Sequence, residues 1–274
     1  MLASSRTMGG NVLLESKNAV IYGAGGPISG AVARAFGREG ARVFLAGRTR
    51  ARLGEVATAI SDAGGEAETA EVDVLDEGAV DTYADAVAQD AGGIDVSFTA
   101  IGHGDVHGVP LVEMGFDDFA RPITTAMKAQ FLTARAAARH MVKQGSGVIM
   151  AITATTARLA TPHVGGTGVT FDAIESLCRQ LAVELGPHGI RVIWLPTTGI
   201  PEAFKDTGEP PPNYGTGRLM TPEEHVAWMQ EQTLLGRLTS LADVANAAAF
   251  VASDQAGTMT AAAVNLTAGA VATR

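Results

Sequence analysis

Tyr22-Gly23-Ala24-Gly25-Gly26-Pro27-Ile28-Ser29-Gly30 follows a short apolar run at 19–22 and opens into an Ala-rich helical stretch at 31–39. Strand, glycine turn and helix start together make a phosphate cradle. Small residues let the backbone approach a pyrophosphate, and a helix N-terminus offers N–H donors and positive dipole. Outward from this turn, runs rich in Val and Ile alternate with Ala-rich segments of helical period. That alternation predicts a doubly wound α/β fold, a parallel sheet of about seven strands with helices on both faces. The expected strands are 19–22, 42–46, 67–72, 95–99, 147–153, 191–195 and 262–266. Residues 18–274 read as one domain, with no composition break long enough for a linker and no fixed-period repeat, and residues 1–17 read as a loose tail. The rhythm breaks at 197–239, where Gly208 to Gly215 carry three consecutive prolines between two short helical segments. Such a connection, leaving the carboxyl end of a strand, is expected to be a substrate lid.

Composition narrows the function classes. The 274 residues are 46% hydrophobic and 18% charged, which fits a large buried core rather than a disordered chain. A formal charge of -9 argues against nucleic acid as a partner. The single cysteine, Cys178, allows no intramolecular disulfide and no thiolate metal cluster, so a reducing, cytoplasmic setting is expected. No stretch is apolar for the ~18 residues a membrane helix needs, so no membrane partner is expected. His103, Asp105 and His107 are too weakly patterned to predict a metal site.

At the nucleotide end, the second strand runs into Ala46-Gly47-Arg48-Thr49, which sets a guanidinium where an adenosine ribose belongs. An arginine there pairs with a 2'-phosphate, which favours NADP(H) over NAD(H). The competing reading of Arg48 is an ordinary solvated side chain. Asp73-Val74 closes the third strand with an acceptor suited to the adenine amine.

These motifs, with the Gly102 turn, the run Leu181-Ala182-Val183-Glu184-Leu185-Gly186-Pro187-His188-Gly189-Ile190-Arg191-Val192 and the tail 237–269, resemble the short-chain dehydrogenase/reductase family over nearly the whole chain. The resemblance implies a Rossmann-type domain with a nicotinamide cofactor at the strand ends, held by Gly23, Gly25, Pro27, Ile28, Ser29, Arg48, Thr49, Asp73, Val74, Ala100, Ile101, Gly102 and Ile200. It also implies a homodimer or homotetramer built through the helices at 117–144 and 170–186. The glycine loop departs from the usual family form and is similar to the divergent enoyl reductase branch, Gly-x5-Ser-x-Ala, at Gly23, Ser29 and Ala31.

The catalytic pattern departs further. Family members carry Asn, Ser, Tyr and Lys, with Tyr and Lys four positions apart on one helix. Alignment back from Leu181 to Leu185 places Thr167 at the tyrosine and Phe171 at the lysine. Alignment forward from Gly145 places Ala154 at the serine, with Thr153 just before it, and the two anchors agree without a gap. The asparagine falls at Ala126. A tyrosine whose pKa is lowered by a lysine cation is a usable acid, worth roughly 10² to 10⁴ in rate, whereas a threonine hydroxyl is far weaker and Phe171 supplies no charge. Substitute catalytic candidates are Thr153, Thr167, His103, His163 and Tyr214, with Asp105 able to orient a histidine; a loop histidine is also read simply as solvated. Ala154, Leu159, Val164, Phe171, Trp194, Phe204 and Met220 are the expected lining of an apolar substrate pocket, and Trp194 is equally readable as core.

Two functional readings stay open. One is an NADP(H)-dependent oxidoreductase whose apolar small-molecule substrate needs little acid, a C=N or an activated C=C bond rather than a simple ketone. The other is a non-redox protein that keeps the fold for cofactor-linked regulation or a different reaction.

Overall fold

A computed structural model describes residues 12–207 and 214–272. Along the chain run β1 (Asn18–Tyr22), α1 (Pro27–Arg38), β2 (Arg42–Gly47), α2 (Arg50–Asp62), β3 (Glu66–Glu71), α3 (Glu77–Ala91), β4 (Val96–Thr99), α4 (Phe116–Gln144), β5 (Gly147–Ala154), α5 (Thr167–Leu185), β6 (Ile190–Thr197), α6 (Pro201–Thr207), α7 (Pro222–Glu231), α8 (Leu241–Ala252) and β7 (Ala262–Ala263). The seven strands form one sheet in the order β3-β2-β1-β4-β5-β6-β7. Every pairing is parallel. The order reverses direction between β1 and β4, so the crevice beyond their carboxyl ends is the place where such sheets bind ligands.

Alternation along each strand builds two cores. Ala19, Ile21, Val96, Phe98, Val148, Met150, Ile193 and Leu195 face one way, against α1 and α8. Val20, Tyr22, Ile149, Ala151, Val192 and Trp194 face the other, toward α4 and α5. Trp194 is therefore core, 4% exposed beneath α5, and not part of a substrate pocket. The period of two that buries both faces also decides where the ends of the strands aim their side chains.

Several boundaries differ from expectation for identifiable reasons. α1 begins at Pro27 rather than Ala31, because proline at the first helical position sets φ and lacks only an amide that would be unpaired anyway. α5 begins at Thr167 rather than Thr170, directly after Gly166. β7 closes at Ala263, although Leu266 still bridges Thr197. The Asn265 side chain takes the Thr267 amide and donates to the Val271 carbonyl, diverting the backbone into a turn. The expected loose tail is anchored over its described part. Leu14 is fully buried in the core, its amide donates to the Glu39 carbonyl, and Lys17 pairs with Asp254. Within the expected lid, α6 and α7 are helical and Tyr214 and Gly215 are placed; 208–213 lie outside the described residues.

Candidate functional site

The glycine turn sits where β1 and β4 part. Gly23 has φ +72°, and a Cβ there would lie 2.2 Å from the Ala100 carbonyl oxygen and 2.9 Å from Ile101 Cγ2. A Cβ on Gly25 would meet Arg52 Cβ at 2.9 Å. Only glycine allows this packing. Gly26 caps α1 without a side chain, so the first-turn amides of Ile28 and Ser29 are left for a ligand. This cradle fits a pyrophosphate. Arg48 and Thr49 are exposed at the end of β2, and Arg52 and Arg34 flank the loop. Sequence reading missed both: Arg34 follows Gly30 by one turn of α1, whereas the closeness of Arg52 to Gly25 depends on how α2 packs against the loop.

Ser29 is placed differently from its expected cofactor contact. It is 1% exposed, and its hydroxyl lies 3.1 Å from the Tyr22 carbonyl and 3.0 Å from the Ala100 carbonyl. Its side chain thus staples the ends of β1 and β4, leaving its amide alone toward the cradle. Asp73 accepts the Leu75 amide at 3.0 Å, Val74 is buried, and Ile200 is 4% exposed in the core beside α6. Ala100 and Ile101 wall the cradle, and Gly102 leads out of it.

Beyond β4 the chain is extended and irregular, turning at Gly104 and Gly108, both at positive φ. Asp105 and His107, two residues apart, face the same side and reach the first residue of α5. Thr167 Oγ1 donates to Asp105 Oδ1 at 2.8 Å, and its oxygen lies 2.8 Å from His107 Nε2. A hydroxyl has one proton, and the carboxylate only accepts, so His107 Nε2–H is the donor to Thr167. The sequence pointed to Thr167 and put His107 and Asp105 at the ligand end of β4, but not their meeting, which joins residues 60 apart in the chain.

Aromatic rings surround this triad. The ring of Tyr214 lies edge-on to His107 at 4.8 Å and 5.4 Å from His225, which stacks on Trp228 at 5.7 Å. His103, 5% exposed, packs edge-on against Phe171 at 5.7 Å. Burial pulls both His103 and His107 toward neutrality, against the opposing charge of Asp105. Burial, then Asp105, pushes the Tyr214 phenol up to about 12, so it stays protonated.

Thr153 is held away from the triad, whereas His163 lies beside the loop that carries it. Thr153, 1% exposed, points under α5, where its hydroxyl donates to the buried Glu175 at 3.3 Å; Glu175 in turn pairs with Arg158. His163 has φ +60° and accepts the Gly108 amide through its carbonyl. It lines, with Val164, Pro110, Leu111 and Val112, a cavity of about 280 Å³ beside the start of α5. Among the other expected pocket residues, Leu159 is 40% exposed, Ala154 ends β5, Met220 is buried near Thr216, and Phe204 packs by Gly199. No group of three or more metal-ligating side chains occurs among the described residues. No described helix is long and apolar enough to cross a membrane.

Residues 23–204 match the family model described as Enoyl-(Acyl carrier protein) reductase. The chain is 31% identical over 247 residues to the uncharacterized oxidoreductase YxbG of Bacillus subtilis, covering 90% of this chain and 88% of that one. It is 29% identical over 240 residues to gluconate 5-dehydrogenase of Gluconobacter oxydans, covering 88% and 89%. The structure of an NAD+-bound xylitol dehydrogenase superposes with a TM-score of 0.86 at 25% identity, over 93% of this chain and 99% of the other. With its sheet order, its glycine cradle and matches that run nearly end to end, the chain belongs to the short-chain dehydrogenase/reductase superfamily of oxidoreductases.

Proposed function

We propose that the protein is an NADP(H)-dependent oxidoreductase with an atypical active site, acting on a C=N or activated C=C bond of an apolar small molecule. The carrying observation is the triad: where α5 begins, a threonine hydroxyl is held between Asp105 and His107, and one turn on stands Phe171 rather than a lysine. A nicotinamide nucleotide, when bound, supplies the hydride. The uncapped α1 amides and glycine turn suit its pyrophosphate, and the exposed Arg48 suits a 2'-phosphate. The relative solved with NAD+ supports a pyridine nucleotide in this cradle.

The chain's own residues then define the reaction. With both loop histidines biased toward neutrality by burial, the described residues offer no strong acid at the start of α5 near pH 7. A bond already activated, by protonation of nitrogen or by conjugation, needs the least from such a site. Apolar side chains around the 280 Å³ cavity favour an apolar substrate.

The test is fluorescence titration with NADPH and NADH, with Arg48→Ala alongside, followed by a panel of ketones, enones and imines. NADPH affinity is expected to fall about tenfold or more in the variant, the worth of one charge-assisted phosphate contact, with little change for NADH. No binding of either nucleotide would favour a non-redox protein on this fold.

A further inference from the structure

We infer that Asp105, acting through Thr167, forms a recognition site for a protonated C=N group, so that the substrate class is an iminium cation rather than an enone or a ketone. The turnover part of this rests on the oxidoreductase reading; the binding part does not.

Hydrogen-bond accounting leads there. Thr167 Oγ1 spends its proton on Asp105 and one lone pair on His107 Nε2–H. Its second lone pair has no partner among the described residues, and a hydroxyl offers no other donor. The oxygen therefore presents an acceptor, backed at 2.8 Å by a carboxylate. A ketone or an enone brings only a carbonyl acceptor, which meets lone pair against lone pair. An iminium brings an N–H donor and a positive charge, and both suit a hydroxyl polarised by a carboxylate.

The surrounding charges agree. His103 and His107 are biased toward neutrality, Phe171 carries no charge, and Arg121, whose stem lies beside Gly104, is paired with Asp118. Among the described residues, Asp105 is the charge that faces Thr167. The Tyr214 ring, edge-on to His107, adds aromatic surface of the kind that favours cations.

The chemistry also balances without an acid. A bound reduced nucleotide would supply the hydride for a C–H bond at the iminium carbon, and the C=N π pair would become the nitrogen lone pair. Nitrogen keeps its N–H throughout. The substrate is reduced by two electrons to an amine, and no proton leaves the protein, which explains why a tyrosine and lysine are dispensable here.

Three probes of similar shape separate the possibilities: 1-methyl-3,4-dihydroisoquinoline, protonated at nitrogen; its N-methyl iminium salt, charged without an N–H; and neutral α-tetralone. Binding is read by calorimetry with and without NADPH. The protonated imine is expected to bind tightest and to lose about tenfold or more in Asp105→Asn and in Thr167→Val, with recovery in Thr167→Ser. The N-methyl salt is expected to bind more weakly, and α-tetralone to respond to none of the variants. Equal affinity for α-tetralone and the protonated imine, no imine binding, or an unchanged preference in both Asp105→Asn and Thr167→Val would overturn the inference. Thermal melting identifies a variant that has not folded, and the Thr167 pair then decides alone. Failure to bind NADPH would strike at the oxidoreductase reading, while the imine preference would stand or fall separately.

Discussion

Ser29 shows how one hydroxyl can hold a switch point together. β1 and β4 separate just beyond a last cross-strand bond from the Ala100 amide to the Tyr22 carbonyl, and the buried Ser29 hydroxyl lies within donating distance of both the Tyr22 and the Ala100 carbonyls, its one proton serving either. Ser29→Ala removes the one side-chain donor these buried carbonyls share and is expected to cost about 1 kcal/mol, lowering the melting temperature by roughly 2–4 °C in a chain of this size. Calorimetric melting checks this, and an unchanged melting temperature would show the staple to be idle. Ser29 was legible as a residue of the phosphate turn because glycines and strand boundaries are local signals. Its inward aim was not, since that follows from proline at the first position of α1 starting the helix four residues earlier than periodicity suggested. Thr153 was misplaced for a related reason. A strand's alternation is readable, but which face holds a buried carboxylate such as Glu175 is set by the packing of α5.

Among elements, α8 carries its own acid sensitivity. Its first turn is closed by a reciprocal cap between Ser240 and Asp243, and Arg237 reaches Asp243 at 2.7 Å. Arg237, followed by the Ser240 amide, holds the Asp243 carboxyl down at about 2. A carboxyl that is a stronger acid folded than unfolded stabilises the fold fully above about pH 4, and that contribution is lost as pH falls toward 2. Asp243→Asn is expected to lower the melting temperature by about 2–4 °C at pH 7, the worth of one helix cap, and to flatten its fall between pH 4 and 2. Parallel slopes for the two proteins across that range would refute the assignment. The elements themselves were largely legible, because buried parallel strands read as continuous apolar runs and the two long helices as Ala-rich periods. The edges were not: β7 ends where the Asn265 side chain competes with the ladder, and Leu14 enters the core from a stretch too polar to suggest it.

At the scale of the whole molecule, the question is what covers the apolar surface that one chain leaves open. On the outer faces of α4 and α5, Phe131 is 47% exposed, Val169 49% and Val183 73%. A second area lies across the molecule's β7 side, where Leu234 is 86% exposed and Leu235 66%, flanking a cavity of about 460 Å³ that also touches Leu266 and Gly269. Large apolar side chains grouped at such exposure mark association surfaces. Two such surfaces on one chain generate a tetramer by successive twofold axes, whereas one generates a dimer. The proposed assembly through α4 and α5 therefore predicts a mass that is a multiple of 28.1 kDa by light scattering. Charges placed on the exposed apolar positions of the two helices, Phe131→Glu with Val183→Glu, should reduce it. Leu234→Glu separates the two arrangements: it should halve a tetramer and leave a dimer built on α4 and α5 intact. A wild-type protein that stays monomeric at micromolar concentration would rule out both. The outcome bears on the site as well, because α5 carries Thr167 at its first residue and its exposed valines further along, so packing across α5 would brace the helix that positions the triad.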